Sequence, residues 1–417
     1  MIGTGGAALA VNNRIEAGGT LRLVSGSRIQ LQSGAVVESP DIALVGQDTI
    51  VMTAGALLGQ VGAKVDSTTS SGGIAQDAAA TLIAATLSSS AGVTGPVVLS
   101  GTANAIGTLT ALAVSAGGLT LSTTGDLSIE GAVTATDAMT LLTGGTNRLR
   151  PTGTISSGGT LTIAAGGGVG FDGGSVAEAP VIALSAESTV TVGTGARIGQ
   201  SGVLIDINVA TGGVTQDAGA TIVASNLSST KGIEGGLALV GANVIGAVGN
   251  IAVTSGEVQV HNTVPLTLTG TISTPENAYL RVSDPGGVTI DPTGGILAGA
   301  KGLVTLHAPS ITIKAGGTIS AGGFEAAPET LGTTMTLAGS AGGLNTLIGV
   351  NVGLATLGAV TVPGGTPVIT AGHIQIDGSF DANPSYSSLH RVIDGLTCGR
   401  GIAVRNSIAH ADRICWA

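Results

Sequence analysis

Residues 20–52 read TLRLVSGSRIQLQSGAVVESPDIALVGQDTIVM, and this stretch decides the fold because its apolar pattern returns after about 21 residues. The pair Leu21 and Leu23 is followed one such step later by Ile42 and Leu44. Apolar residues at i and i+2 are typical of a strand with one buried face. The same step separates the other apolar positions of the stretch, which are Ile29/Leu31 from Ile50/Met52 and Val36 from Leu57.

This pattern predicts a coil in which each turn stacks on the previous one. Each period holds three short strands between Gly, Ser, Asn or Asp turns, and no helical periodicity is visible. Strands one rung apart then pair in parallel and share a core column. We therefore predict an all-β fold, a single-stranded right-handed parallel β-helix (solenoid) with about 21 residues and three short strands per rung; the hand follows from the dominance of right-handed crossovers.

The composition agrees with a thin, repeated core. Gly fills 71 of 417 positions, aromatic residues make up 1% and charged residues 10%. A core two or three side chains wide has little room for aromatic rings, and glycine suits tight corners. The mean hydropathy of +0.52 excludes strong disorder, and two Cys exclude a disulfide scaffold. A net charge of −10 excludes a nucleic-acid partner, because no basic patch is present for phosphate contacts.

A longer repeat, of about 140 residues, overlies the rungs. The predicted β-helix spans 1–384. Within it, the long repeat has copies at about 19–133 and 159–272, and a weak third copy reaches 380. At a constant rung length, this repeat corresponds to close to seven rungs. Matching residues of the first two copies include Pro40 and Pro180, Gly59 and Gly199, and Gln76 and Gln216.

The segment 385–417 departs from the pattern and forms a divergent tail. It is interpreted as a cap on the last rung, a linker, or the remnant of a truncated gene. It holds both cysteines, Cys398 and Cys415, which either pair as a disulfide or remain two separate thiols. With His390 and His410 they lack the short spacings of a zinc site, so no metal is predicted.

Three groups of residues have the composition of a site. Residues 167–172, GGVGFD, match the start of a calcium-binding nonapeptide, but the match occurs once and its counterpart at 27–32 reads SRIQLQ, so chance glycine enrichment is favoured. The repeated pairs Gln76-Asp77 and Gln216-Asp217 form either a two-fold ligand site or, as we favour, capped corners. His261, His307 and His373 are interpreted as isolated on strands or corners, with a surface or packing role. No catalytic, cofactor-binding or metal residue is predicted, and no cofactor.

The rungs resemble those of a known group of exported proteins. The segments 18–23, GGTLRL, and 158–163, GGTLTI, with their Gly/Ser/Thr/Ala-rich surroundings, resemble the β-helical passenger regions of filamentous-haemagglutinin-like and autotransporter adhesins of Gram-negative bacteria. The resemblance covers roughly 15–380. It implies a secreted or cell-surface adhesin, with an outer-membrane translocator and a host or neighbouring-cell surface as partners.

The start of the chain qualifies that localisation. No basic residue precedes Arg14, so no signal peptide is expected here, and the chain is either cytoplasmic or an internal part of a larger exported protein. The resemblance favours the second alternative, an adhesin-like rod that mediates attachment or cell–cell cohesion.

Two other functions are considered and disfavoured. A polysaccharide-degrading β-helix needs clustered carboxylates with basic side chains and usually aromatic platforms, and these residue types are sparse here. An ice-binding solenoid needs Thr-x-Thr ladders in register. Thr160 and Thr162 are followed one rung later by Val181 and Ala183, so the ladder is broken. We therefore expect that the protein is not an enzyme.

Overall fold

A computed structural model describes residues 1–314 and 316–327, and beyond them the backbone of the strands 335–340, 350–357, 360–362, 369–376, 380–382 and 396–398. The chain divides into two compact units, Met1–Ile205 and Asp206–Ala417. Both are all-β solenoids of stacked parallel strands, with about 15 turns in total and about 22 residues per turn. The predicted fold class is confirmed.

Every regular element among the described residues is a strand, and most strands are three to six residues long. The strands up to Gly199 are β1 Ile2–Thr4, β2 Leu9–Val11, β3 Arg14–Glu16, β4 Thr20–Ser25, β5 Ile29–Leu31, β6 Val36–Glu38, β7 Asp41–Gly46, β8 Ile50–Met52, β9 Leu57–Gly59, β10 Lys64–Thr69, β11 Ile74–Gln76, β12 Thr81–Ser88, β13 Val97–Leu99, β14 Ala105–Leu109, β15 Leu112–Val114, β16 Leu119–Thr123, β17 Leu127–Ile129, β18 Ala132–Ala135, β19 Met139–Thr143, β20 Leu149–Pro151, β21 Thr154–Ser157, β22 Thr160–Ala165, β23 Val169–Phe171, β24 Val176–Glu178, β25 Val181–Ala186, β26 Val190–Val192 and β27 Arg197–Gly199.

The strands that follow have the same short lengths, apart from a few long ones such as β31. They are β28 Leu204–Val209, β29 Val214–Gln216, β30 Thr221–Ser228, β31 Leu237–Val248, β32 Ile251–Ala252, β33 Val258–Asn262, β34 Leu266–Leu268, β35 Thr271–Ser273, β36 Ala278–Val282, β37 Val288–Ile290, β38 Gly295–Leu297, β39 Leu303–His307, β40 Ser310–Lys314, β41 Thr318–Ala327, β42 Met335–Ser340, β43 Val350–Leu357, β44 Val360–Val362, β45 Ile369–Ile376, β46 Phe380–Ala382 and β47 Leu396–Cys398.

The predicted register of the first rungs is confirmed. β4 pairs in parallel with β7 and places Leu21 beside Ile42, while β5 pairs with β8 and β6 with β9. Each of these strands therefore pairs with the third strand after it, which gives three strands per rung. The right-handed sense of the coil stays a prediction from the crossover rule.

The core of the first unit consists of aliphatic columns. One column runs from Ile29 through five further side chains to Leu161, and each of its members is at most 4% exposed. Removing a Leu or Ile side chain from water contributes about 1.5–3 kcal/mol, so each rung adds a similar increment of stability. The intermediate members are Ile50, Ile74, Val97, Leu119 and Met139.

The same column corrects the predicted relation between rung and long repeat. Seven rungs per repeat would place Leu161 in the column of Leu21, its counterpart in the first copy. Leu161 instead stacks in the column of Ile29, six rungs after it, so the repeat exceeds six rungs and falls short of seven. Six rungs after Leu21 stands Pro151.

Variation in the length of the rungs causes this shift. The rung from Leu119 to Met139 is shorter than the one from Ile29 to Ile50, and the rung from Ile50 to Ile74 is longer. The corners absorb these differences, while the paired strands keep their register. The predicted constant step is therefore only an average.

One strand falls within the predicted divergent tail. β47 pairs in parallel with β45 and places Leu396 beside Ile374, as successive rungs of the solenoid do. His390, His410, Cys415 and Trp416 lie outside the described residues, as does the side chain of Cys398.

Candidate functional site

The repeated Gln76-Asp77 pair lies at a corner of the first unit. Gln76 is 6% exposed, and its amide points into the solenoid. Its Nε2 donates to Asn104 Oδ1 at 2.7 Å, and its Oε1 accepts from Asn104 Nδ2 and from the Gly101 N–H, both at 2.9 Å. Asp77 accepts the backbone N–H of Ala54, one rung earlier, at 2.8 Å. These contacts join successive rungs and match the corner interpretation.

The second unit repeats this arrangement. Gln216, 5% exposed, exchanges two hydrogen bonds with the fully buried Asn243, and its Oε1 accepts the Gly241 N–H. A buried amide pair that satisfies its own donors and acceptors stabilises a fixed corner geometry. The amide pairs Gln76–Asn104 and Gln216–Asn243 are buried and therefore face no ligand outside the solenoid, although Asp77 and Asp217 beside them are exposed. We treat both corners as structural.

The glycine-rich segment that matches a calcium motif also uses its one carboxylate internally. Asp172 Oδ2 accepts a hydrogen bond from the Arg150 guanidinium at 2.7 Å. Its backbone carbonyl accepts the N–H of Ser175, which closes the following turn. The preferred interpretation of chance glycine enrichment agrees with these contacts.

Addition of calcium is expected to leave the thermal unfolding temperature unchanged, because a ligand raises that temperature only by binding the folded state. Calorimetric scans in CaCl₂ and in EDTA test this expectation. Asp172→Ala is the matched control. A rise in unfolding temperature with calcium that Asp172→Ala abolishes would show that the segment is a calcium site.

The threonine positions do not form a continuous ladder. Thr160 stands beside Val181 and Thr162 beside Ala183, as predicted from the sequence. The outward column that contains Thr162 does hold two more threonines, at 120 and 140, but Val98 stands one rung before them and Ala183 one rung after them. A second column, on the second unit, holds Thr267, Thr289 and Thr312 between Ala247 and Ala338. Each ladder is only three threonines long, so the ice-binding alternative gains no support.

A polar strip on the second unit brings together the residue types that are rare in this chain. It lies on the outward face of β33, β36, β39 and β41, whose inward neighbours Val260, Leu280, Leu306 and Ala326 are completely buried. We call it the histidine strip and define it by its side chains: Gln259, Tyr279, Thr305 and Glu325 in one column, and His261, Arg281 and His307 in the adjacent one. Of these, Thr305 is only 8% exposed.

A chain of contacts runs through the middle of the histidine strip. The Tyr279 hydroxyl lies 3.1 Å from His307 Nδ1, and the two rings meet edge to face with centroids 5.2 Å apart. His307 Nε2 lies 3.4 Å from Glu325 Oε1. An ionised carboxylate accepts hydrogen bonds, and a neutral imidazole that donates its Nε2–H to Glu325 can accept the Tyr279 hydroxyl proton at Nδ1.

The interpretation of His307 as isolated is therefore wrong. His261 also has a partner, since its Nε2 lies 3.3 Å from the hydroxyl of Ser283. The side chain of His373 lies outside the described residues. The histidine strip could not be recognised in the sequence because its rungs differ in length. The rung from Tyr279 to Thr305 is long, and the rung from Thr305 to Glu325 is short. A search at one constant step misses both neighbours of Thr305.

Other features of the described residues do not add a second site. A void in the core of the first unit, lined by Leu44, Ile50 and Met52 among others, measures about 10 Å³, which is room for one water molecule at most. Among the described residues no group of three or more His, Cys, Asp or Glu side chains could hold a metal ion. No long apolar helix capable of crossing a membrane occurs in that part of the chain.

Comparisons with protein-family models, with curated proteins and with solved structures find no match to this chain.

Proposed function

We propose that this chain is a cell-surface or secreted structural solenoid of a Gram-negative bacterium, one that mediates attachment or cell–cell cohesion and has no catalytic role. Its partners would be an outer-membrane translocator and the surface of a host or neighbouring cell. The proposal extends the resemblance of the short glycine-rich rungs to adhesin passenger regions.

The observation that carries the proposal is the character of the outward sheet faces. In the first unit the column from Val98 to Ala183 consists of short uncharged side chains, namely Val98, three threonines and Ala183. The longer polar side chains nearby, such as Gln76 and Asn104, are buried and join rungs to one another. Such a surface offers contact area over many rungs but gathers few reactive groups in one place.

The histidine strip has hydrogen-bonding groups but not the arrangement for cleaving a glycosidic bond. That reaction usually needs two carboxyl groups on opposite sides of the bond, one as an acid and one as a base or nucleophile. The two columns of the strip contain a single carboxylate, Glu325. We therefore favour binding over catalysis.

Beads coated with the purified full chain are expected to be retained on layers of bacterial or host cells more strongly than beads coated with an unrelated soluble protein of equal net charge. The charge-matched control removes the contribution of nonspecific electrostatics. Counting retained beads after washing, and bead–bead aggregates in suspension, measures attachment and cohesion. Equal retention and equal aggregation of the two bead types would contradict the proposal.

A further inference from the structure

We propose that the histidine strip binds an uncharged carbohydrate chain and is an attachment site of the second unit. This inference rests on the proposed attachment function only for its biological role. The binding itself follows from the side chains of the strip and is tested separately.

The first argument is the aromatic ring. Among the Phe, Tyr and Trp side chains that the structure describes, Tyr279 alone reaches the surface, because Phe171 and Phe324 are each 1% exposed. Its ring is held by the edge contact with His307 and by the hydrogen bond from its hydroxyl. A fixed ring with an apolar body and a polar tip suits the mixed surface of a sugar, and fixing it beforehand lowers the entropy lost on binding.

The second argument is the array of polar groups around that ring. Gln259 precedes Tyr279 in its column and is exposed, Arg281 lies in the adjacent column and is exposed, and Glu325 is about one-third exposed. Amide, guanidinium and carboxylate groups together offer both donors and acceptors, which hydroxyl-rich ligands require. Four rungs at the spacing of neighbouring strands give the strip a length of about 14 Å, enough for a short oligosaccharide.

The third argument is charge and polarity. One cation, Arg281, and one anion, Glu325, balance within the strip, while the chain as a whole carries a net charge of −10 and repels acidic polymers. From β33 to β39 the two columns carry no apolar side chain apart from the tyrosine ring itself, and on β41 the position next to His307 is Ala327. This favours a neutral polyhydroxylated ligand over an acidic polysaccharide, a lipid or an apolar peptide.

The test is calorimetric titration of the purified full chain with cellohexaose, maltohexaose and mannohexaose as neutral probes and hexagalacturonate as the acidic probe. We expect saturable binding of a neutral probe, with the probe recovered intact. Tyr279→Ala is expected to weaken that binding about tenfold, the equivalent of 1.4 kcal/mol. Tyr279→Phe keeps the ring and is expected to weaken it less. Thr289→Ala, at a partly exposed position of β37 in the second unit and outside the histidine strip, is the matched control with unchanged affinity.

Circular dichroism and thermal unfolding of each variant establish that the solenoid is intact. The inference is overturned if no neutral probe binds, if Tyr279→Ala binds as tightly as the unaltered chain, or if hexagalacturonate is preferred. Bead retention separates this inference from the proposed function. If the unaltered chain binds a neutral sugar but its beads are retained no better than the control beads, only the proposed attachment function is contradicted. If beads with the unaltered chain and with Tyr279→Ala are retained equally, only the role of the strip as the attachment site is contradicted.

Discussion

Replacement of Asn104 by alanine is expected to lower the free energy of unfolding by about 3 kcal/mol, although the side chain is polar and belongs to no binding site. Asn104 is completely buried, and its Oδ1 accepts the backbone N–H of Leu82 at 2.8 Å and the side-chain amide of Gln76 at 2.7 Å. Its Nδ2 donates to Gln76 Oε1 and to the carbonyl of Ser122. Truncation leaves a buried N–H without a partner, which costs more than a hydrogen bond contributes when made.

Chemical denaturation gives the overall loss, and amide hydrogen exchange at Leu82 shows where it arises. In a repeat structure one rung can open without the others, so the local measurement is the sharper of the two. Asn243→Ala is expected to have the same effect in the second unit, where Asn243 accepts the Ile222 N–H at 2.8 Å. Thr140→Ala, at an outward position, is the control with a loss below about 0.5 kcal/mol. Unchanged exchange at Leu82 in Asn104→Ala would show that the amide pair does not hold the corner.

Replacement of Gly59 by alanine is expected to destabilise the first unit by about 3 kcal/mol or more, the second large effect. Gly59 has a φ of +86°, a conformation that costs a residue with a Cβ atom about 1–2 kcal/mol. A Cβ at this position would also overlap the carbonyl oxygen of Ile83, the residue paired with Gly59 on the next rung. The rung cannot move away from that oxygen without breaking its ladder of hydrogen bonds.

Gly62 provides the matched control for this prediction. Its φ is +82°, almost the same, but a Cβ there would meet no atom within 4 Å. Gly62→Ala therefore carries only the conformational cost of about 1–2 kcal/mol. The difference between the two variants in denaturation midpoint measures the close approach of successive rungs. Equal midpoints would mean that the backbone contact between Gly59 and Ile83 is not maintained in solution.

The sequence was sufficient for the fold because the signal repeats. Leu21 and Ile42 are ordinary aliphatic residues, yet their spacing recurs at Ile29 and Ile50, and each recurrence supports the same parallel register. The corner role of Gln76 was also within reach, since amides favour turns. The partner of Gln76 could not be predicted, because Asn104 lies 28 residues away and meets Gln76 only when two rungs stack.

The contacts within the histidine strip, in contrast, could not be predicted from the sequence. Tyr279, His307 and Glu325 are separated by 28 and 18 residues, and no periodic pattern links them. Side chains on neighbouring strands meet when their strands stack in register, and loops of different length between the strands change their separation in sequence without changing the stacking. Contacts of this kind are set by the fold and leave no local trace.

What the amino-acid sequence by itself determined is the nature of the repeating unit: three short strands, an aliphatic inner face and glycine-bearing corners, each a consequence of local pattern and side-chain size. What only the tertiary structure decided is how many residues complete each rung, and therefore that Leu161 stacks over Ile29 and not in the column of its repeat counterpart Leu21. The physical reason is that a buried column fixes the inward positions of each strand, whereas corner loops lengthen or shorten on the solvent side at little cost.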